Sequence, residues 1–233
     1  MITMTEHTPA RRTVRVRAFP RPLPRLTLLV ALLVALLVLT AHDSRAASPE
    51  LAAYARFARG DGASQLLAVA REALCAAAGR CDTLVAMAPD WPGTPRPLFV
   101  TLAHGRSTRA CLGRDDAHGS LTESVRELAL EALSGDRRRS PVRAEELDSL
   151  SVLVAFAGDE HAIGDPFQVN PMREGLRIET ERGTVAFLPG EARTVSWALS
   201  EARRIGVLGR ISDARFSRFD AVVLSGPAVR SER

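Results

Sequence analysis

Two strand-like segments joined by a tight turn place the strongest constraint on the fold of this chain. Leu98–Leu102 is an apolar and β-branched run, residues 104–107 have the composition of a turn, and Thr108–Leu112 returns as a second strand. Ser120 and Glu123 then form a capping box that opens a helix with an apolar stripe. A hairpin followed by an amphipathic helix favours an α+β fold over a doubly wound parallel sheet.

Helical stripes and short strands recur along the rest of the chain. Apolar residues at helical spacing predict a helix that Ser64 caps and Gly79 ends. Prolines and glycines predict an extended loop over residues 88–97 and a long loop over residues 158–173. The other predicted elements are a helix ended by Gly135, a short helix after Pro141, a strand over Val152–Phe156, a hairpin over 176–178 and 185–188, a helix over about Thr194–Arg204 and a last strand over Phe219–Leu224. Hairpins between helices predict one compact α+β domain.

The first 46 residues have the order of an export signal. Six arginines between positions 11 and 25 precede the apolar run Leu26–Ala41, and Ser44-Arg45-Ala46 supplies the small residues that a signal peptidase reads. The alternative is an uncleaved membrane anchor, although 16 apolar residues are short for a span of about 20. We therefore expect an exported protein, periplasmic or extracellular, or one anchored to the membrane by residues 26–41. The predicted organisation is a signal peptide or anchor over 1–46, a linker over 47–63, the α+β domain over 64–225 and a tail over 226–233.

The export segment also accounts for the net charge. Residues 1–46 hold seven arginines against two acids, a balance of +5, whereas the whole chain carries +4, so the rest carries about −1. The domain therefore gives no reason to expect nucleic-acid binding. The chain contains no lysine, which excludes Schiff-base catalysis and a Walker-type phosphate loop.

Three cysteines leave an odd thiol in an oxidising compartment. Cys75 and Cys81 lie close together across the predicted helix end at Gly79, and we predict a disulfide between them. Cys111 is then the unpaired cysteine.

From about Leu66 to Leu224 the order of these elements resembles the AMMECR domain family. The helix from Leu66 to Arg71 is similar to the family's leucine-rich opening helix. The similarity is strongest at Phe99–Leu102 followed by Arg109–Gly113, where the family usually has Arg-Gly-Cys-Ile-Gly. Residues 136–141 look like the family's Asp-Pro-Arg-Phe-x-Pro stretch. The chain departs from the family pattern at Ala110, Arg139 and Gly190-Glu191.

The resemblance implies a compact α+β unit with a larger lobe, a smaller lobe and a cleft between them. It implies no particular reaction, although relatives are often encoded or fused with a metal-dependent dioxygenase-like protein called Memo and a radical S-adenosylmethionine protein. We therefore expect an accessory or binding domain in the cell envelope, with its cleft centred on the strand Arg109–Gly113. Its expected partner is an unknown protein or small molecule, or also the membrane if the N-terminal segment is kept.

Cys111 is the first candidate for chemistry. Arg109 and Cys111 alternate along a predicted strand and share a face, so the guanidinium would favour the thiolate. His104 and His118 lie in the flanking loops and would supply a base. The alternative function is thus a thiol-dependent enzyme with Cys111 as nucleophile or redox centre. The competing interpretation makes Cys111 a small buried residue and Arg109 a surface residue.

Two further clusters are candidates for ligand binding. Arg137, Arg138 and Arg139 follow a helix C-terminus, where they bind an anion such as phosphate or carboxylate or merely complement the helix dipole. Asp115 and Asp116 precede His118, but this spacing matches no specific set of metal ligands. We predict neither a metal site nor a cofactor.

Overall fold

The computed structural model describes residues 48–81, 86–116, 119–136 and 138–229. The predicted signal peptide or anchor over 1–46 lies outside the described residues, as do His118 and Arg137. Among the described residues, no helix combines the length and apolar character that crossing a membrane requires. Residues Ala46–Arg233 form one compact unit.

Two antiparallel four-stranded sheets form the framework. The first sheet has the order β2-β1-β3-β8, with β1 Leu98–His104, β2 Ser107–Arg114, β3 Ser151–Ala157 and β8 Ala221–Pro227. The second has the order β4-β7-β5-β6, with β4 His161–Ile163, β5 Gly175–Thr180, β6 Gly183–Phe187 and β7 Arg215–Phe219. Antiparallel pairing throughout, with separate helices, confirms the mixed α and β architecture predicted from the sequence.

Within the described residues, four helices cover these sheets: α1 Pro49–Phe57, α2 Asp61–Ala77, α3 Leu121–Ser134 and α4 Val195–Arg204. The capping box predicted for α3 is confirmed, because Glu123 N–H donates to Ser120 Oγ over 3.2 Å and Ser120 N–H donates back to the Glu123 carboxylate over 3.3 Å. Shorter 3-10 helices cover Ala144–Ser149, Pro166–Gln168 and Ile211–Asp213.

Alternation along β1 and β3 directs their side chains into two cores. Val100 and Val154 face the apolar stripes of α1, α2 and α3 in the main core. Phe99 and Ala155 point to the opposite face, where they meet Phe219 of the second sheet. The rings of Phe99 and Phe219 stack with centroids 6.4 Å apart. The first sheet is therefore buried on both faces.

Glycine is required where the two stacked rings touch the sheets. A Cβ atom at Gly113 would overlap the ring of Phe99, and one at Gly175 would overlap the ring of Phe219. Gly105 has a φ of 57°, which the tight turn between β1 and β2 demands and which side chains disfavour. The glycine that closes the Arg109–Gly113 motif thus serves packing.

Both ends of the predicted domain need correction. The predicted linker over 47–63 contains α1 and the start of α2, and it buries Leu51 and Tyr54 in the main core. The first turn of α2 begins at Asp61, so Ser64 lies inside the helix and donates to the Asp61 carbonyl. The predicted tail over 226–233 begins within β8, and Ala228 is fully buried. Burial against distant strands orders these segments.

The second sheet contains two strands that the sequence did not predict. The long loop expected over 158–173 contains β4 and the 3-10 helix Pro166–Gln168. β7 precedes the predicted last strand, which runs over Ala221–Pro227. β4 has only three residues and β7 carries Arg215 and Arg218, so neither shows a clear apolar run.

Candidate functional site

A buried network of two carboxylates and one guanidinium joins β2 to the segment after β6. Arg138 donates to Asp136 over 3.0 Å and to Glu191 over 2.9 Å. The three side chains are at most 9% exposed. The network therefore connects parts of the chain that lie 53 residues apart in sequence.

The protonation states of this network follow from its hydrogen bonds. Burial by itself would raise the pKa of Asp136, but hydrogen bonds from Arg138 and from the Cys111 N–H outweigh it and lower that pKa. Burial would likewise lower the pKa of Arg138, but the charge of Glu191 and the hydrogen bonds to Asp136 raise it. Asp136 and Arg138 therefore stay charged at physiological pH.

The same network closes the outer edge of β2. Cys111 N–H donates to Asp136 Oδ2 over 2.8 Å, and the Cys111 carbonyl accepts from Arg138 over 3.4 Å. Glu191 also accepts from the Leu188 N–H over 3.0 Å. Side chains thus satisfy edge groups that would otherwise be open to a further strand.

A cavity of about 450 Å³ opens beside the network, and we call it the arginine cavity. Its walls come from the β1–β2 hairpin, from the segment after α3 and from the start of α4. The lining residues are His104, Arg106, Ser107, Thr108, Asp136, Arg138, Arg139, Glu191, Arg193, Thr194, Trp197 and Glu201. Residues from three separate segments therefore meet in one concave site.

The arginine cavity has an excess of unpaired positive charge. Its carboxylates are all engaged: Asp136 and Glu191 hold Arg138, and Glu201 holds Arg204 over 2.7 Å. By contrast, within the described chain no hydrogen bond or ion pair engages the side chains of the remaining cations, which are Arg106, Arg139 and Arg193. Three guanidiniums therefore line the cavity without a direct ion pair among the described residues. Arg204 and, more weakly, Arg139 lower the pKa of Glu201, so Arg139 acts on that carboxylate through its charge alone.

The start of α4 supplies the opposite wall. Thr194 caps the helix, accepting from the Trp197 N–H over 3.2 Å. The Trp197 ring packs edge-to-face on Phe187 with centroids 5.9 Å apart, yet the residue remains 42% exposed. An aromatic surface thus lies beside the unpaired guanidiniums.

A second, more open concavity of about 880 Å³ adjoins the arginine cavity, and we call it the outer groove. It shares His104, Ser107, Thr108 and Arg139 with the arginine cavity and continues to Arg143 and Glu146. Arg109 lies in its wall, donating to Glu146 over 2.7 Å and to the carbonyls of Ser140 and Pro141. The hydrogen bond from Arg109 lowers the pKa of Glu146 to about 2.

A third cavity, of about 360 Å³, lies on the other side of the Asp136–Arg138 pair and is lined by Cys111, so we call it the Cys111 cavity. Arg177 crosses its mouth and donates to Asp115 over 2.7 Å and to Glu160 over 3.0 Å. Asp115, which the sequence placed in a possible metal cluster, is therefore an ion-pair partner that joins the two sheets.

The surroundings of Cys111 favour the neutral thiol over the thiolate. Burial and the charge of Glu191 raise the pKa of Cys111 to about 12, although Arg138 and a 3.0 Å hydrogen bond from Thr101 oppose that shift. Arg109 is held by Glu146 in the outer groove. The prediction that Arg109 lowers the pKa of Cys111 is therefore wrong, and the thiol is protonated at neutral pH.

Cys111 is accordingly expected to react slowly with iodoacetamide in the native protein. At pH 7.5 alkylation should be at least about tenfold slower than in the denatured chain, because the thiolate is the reactive form. Arg109→Ala should leave the native rate unchanged. Mass spectrometry after timed quenching measures both rates. Equal native and denatured rates, or a strong effect of Arg109→Ala, would contradict this interpretation.

Cys111 is separated in the structure from Arg109 and His104. His104 lines the arginine cavity and, together with Arg109, the outer groove, whereas Cys111 lines the Cys111 cavity. His118 and Arg137 lie outside the described residues. Of the predicted anion site, Arg138 and Arg139 both line the arginine cavity, but the guanidinium of Arg138 is bound to Asp136 and Glu191.

Several residues of the arginine cavity carried no signal in the sequence. Arg193 and Trp197 lie far along the chain from the hairpin, and Arg106 is an ordinary turn residue. Glu191 was visible in the sequence only as a departure from the family pattern. Its carboxylate holds Arg138.

Cys75 and Cys81 are joined by a disulfide at the end of α2, with their Cα atoms 5.4 Å apart. Cys111 is free. Next to the disulfide, Arg80 donates to Asp148 over 2.6 Å. The bridge and the ion pair together fix the end of α2 beside the 3-10 helix Ala144–Ser149.

Comparisons with known proteins identify the family of this chain. A sequence model of the AMMECR1 family matches residues 67–219. A protein of Methanothermobacter thermautotrophicus is 33% identical over 119 residues, which are 48% of this chain and 62% of that protein. Protein Mbar_A1807 of Methanosarcina barkeri is 31% identical over 81 residues, which are 35% of this chain and 40% of that protein. The chain thus spans less than two thirds of the length of these curated relatives.

The fold is similar to the crystal structure of the uncharacterized protein PH0010 from Pyrococcus horikoshii. The TM-score is 0.54 at 21% sequence identity, over 73% of this chain and 95% of that chain. At this identity the similarity shows the fold alone. The family match includes every residue that lines the arginine cavity. The prediction made from the sequence motifs is confirmed, and the chain belongs to the AMMECR1 family.

Proposed function

We propose that this domain is a binding module that recognises an anionic group, a carboxylate or phosphate, in the arginine cavity. The observation that carries the proposal is the set of three unpaired guanidiniums of Arg106, Arg139 and Arg193 in a cavity whose carboxylates are all bonded to other arginines. On this proposal the two sheets correspond to the two lobes expected from the family, and the cavity lies in their cleft.

The electrostatics of the cavity favour an anion for two reasons. Like charges that line one cavity repel one another, so a bound anion relieves an unfavourable interaction. A guanidinium also presents several N–H donors in a fixed plane, which suits the paired oxygens of carboxylate and phosphate groups. The Asp136–Arg138–Glu191 network contributes by holding the cavity wall in place.

Titration with inorganic phosphate tests this proposal. We expect a saturable change in Trp197 fluorescence, because the indole lies in the wall of the cavity and is 42% exposed. The double substitution Arg139→Gln with Arg193→Gln should weaken the apparent affinity about thirtyfold, since each charge-assisted contact contributes on the order of 1 kcal/mol. Trp197→Phe identifies the source of the signal.

Two controls make this titration decisive. Arg203→Gln removes an exposed arginine that does not line the cavity, and it should leave the affinity unchanged. Potassium chloride at matched ionic strength separates binding from simple screening. If phosphate and chloride have the same effect, or if the double variant titrates like the unmodified protein, the arginine cavity is not an anion site.

We further propose that the module acts in the cell envelope, as an accessory domain for a protein or small-molecule partner. The basic, apolar and small-residue order of residues 1–46 supports export, and the Cys75–Cys81 disulfide is typical of an oxidising compartment. Cell fractionation with intact-mass measurement tests this location. Recovery of the uncleaved chain from the cytoplasm, with Cys75 and Cys81 reduced, would contradict the proposed location.

A further inference from the structure

We infer that the ligand is an extended acidic polypeptide segment, which lies along the arginine cavity and the outer groove together. This inference rests on the proposed function, because it assigns the class of molecule that carries the anionic groups. It predicts that recognition depends on residues at both ends of a long site.

The first argument is continuity. The arginine cavity and the outer groove share His104, Ser107, Thr108 and Arg139, so they form one concave surface on both sides of the β1–β2 turn. Their volumes are about 450 and 880 Å³. Sites for small ligands occupy roughly 300–1,000 Å³. Each concavity alone has that size, and their continuity makes the joined surface longer than an isolated anion needs.

The second argument is the distribution of charge along this surface. Arg106 and Arg193 line the arginine cavity, Arg143 lines the outer groove, and Arg139 lines both. Arg143 is 3.6 Å from Glu146, but that carboxylate is already held by Arg109 over 2.7 Å. The side chain of Arg143 is 78% exposed. Cations therefore occur in both parts of the joined surface, as the acidic side chains of an extended segment require.

The third argument concerns the neutral groups. Between the cations, the hydroxyls of Ser107 and Thr108 line the shared stretch, and within the described chain they make no hydrogen bond. Hydroxyls both donate and accept, which suits the amide groups of a peptide backbone. Trp197 offers an apolar surface at one end for a neighbouring side chain. The joined surface thus offers both charged and uncharged groups to a polypeptide.

The overall charge argues against a nucleic acid. Residues 47–233 carry about −1 in total, so the positive charge of the groove is local. Proteins that bind nucleic acids without the help of a guide generally have basic stripes or a strongly basic domain. A short acidic segment needs only a local set of cations.

Fluorescence anisotropy with a labelled ten-residue peptide of alternating glutamate and serine tests the inference. We expect saturable binding that weakens as salt is raised, and at least tenfold weaker binding of the matched glutamine and serine peptide. A ten-nucleotide dT oligomer and vesicles with one third phosphatidylglycerol serve as alternative anionic partners. Equal binding of the glutamate and glutamine peptides, or tighter binding of the oligomer or the vesicles, would overturn the inference.

One pair of variants separates this inference from the proposed function. Arg193→Gln removes a cation of the arginine cavity, and it should weaken binding of phosphate and of the peptide. Arg143→Gln removes a cation found only in the outer groove, and it should weaken peptide binding roughly two- to fivefold with phosphate binding unchanged. If Arg143→Gln alters neither, the ligand does not extend along the groove and the acidic-peptide inference fails, while anion binding stands. If phosphate does not bind at all, both fail.

Discussion

Replacing Arg138 with methionine is expected to lower the free energy of unfolding by about 3–5 kcal/mol. Methionine keeps much of the side-chain length but removes the cation between Asp136 and Glu191, which are only 6% and 5% exposed. Two buried carboxylates then lose their counter-charge, and their desolvation is no longer offset. Denaturant unfolding at pH 7 measures the loss.

The loss of stability in Arg138→Met should depend on pH. In the unmodified protein the folded pKa of Asp136 is lowered, so its contribution is present above the unfolded pKa of about 3.9 and is lost as the pH falls through the folded value. In the variant, burial without a cation raises the folded pKa of that carboxyl, so stability is lost as the pH rises above about 3.9. The two stabilities should therefore converge as the pH falls toward 4.

Arg139→Met is the matched control for this experiment. Arg139 is the next residue, but its side chain is exposed and faces the arginine cavity. Its replacement should change the free energy of unfolding by no more than about 0.5 kcal/mol. A loss below about 1 kcal/mol in Arg138→Met, or a loss that does not depend on pH, would show that the network contributes little to stability.

Tyr54→Ala is expected to lower the free energy of unfolding by a similar amount, about 3–5 kcal/mol. Tyr54 is fully buried, and its ring lies 4.6 Å from that of Phe156 in β3. Its hydroxyl donates to the Thr94 carbonyl over 2.6 Å, and burial raises its pKa to about 12, so it stays protonated. The alanine variant leaves a cavity and an unsatisfied carbonyl, and thermal or denaturant unfolding measures the effect.

Two further variants identify what Tyr54 contributes. Tyr54→Phe keeps the ring and removes the hydrogen bond to Thr94, so it should cost only about 1 kcal/mol. Arg56→Ala lies on the same helix but is exposed, and it should be nearly neutral. If Tyr54→Ala is no more harmful than Arg56→Ala, then α1 is dispensable and residues 47–63 behave as the linker that the sequence predicted.

Local signals predicted most of the elements correctly. The Ser120–Glu123 capping box, the turn at Gly105 and the hairpin of β5 and β6 all depend on residues a few positions apart, so they are visible without knowledge of the fold. The family was predicted in the same way, because its motifs keep their order along the chain.

The features that the sequence did not predict have a common physical cause. α1 is buried because β3 brings Phe156 against Tyr54, and β7 is a strand because β4 and β5 pair with it on both sides. Neither segment has a strong local pattern, so each depends on partners that the sequence does not reveal. The raised pKa of Cys111 is a similar case, since burial and Glu191 determine it and both depend on the tertiary fold.

The sequence by itself determined the helices and hairpins with strong periodicity, the α+β architecture and membership of the AMMECR1 family. Only the tertiary structure decided that Arg138 is a buried structural cation while Arg106, Arg139 and Arg193 face a shared cavity. The reason is that an arginine's role depends on which carboxylate reaches it, and Glu191 reaches Arg138 from 53 residues away. Periodicity reports the burial of one face of an element, whereas charge pairing is set by how the elements pack together.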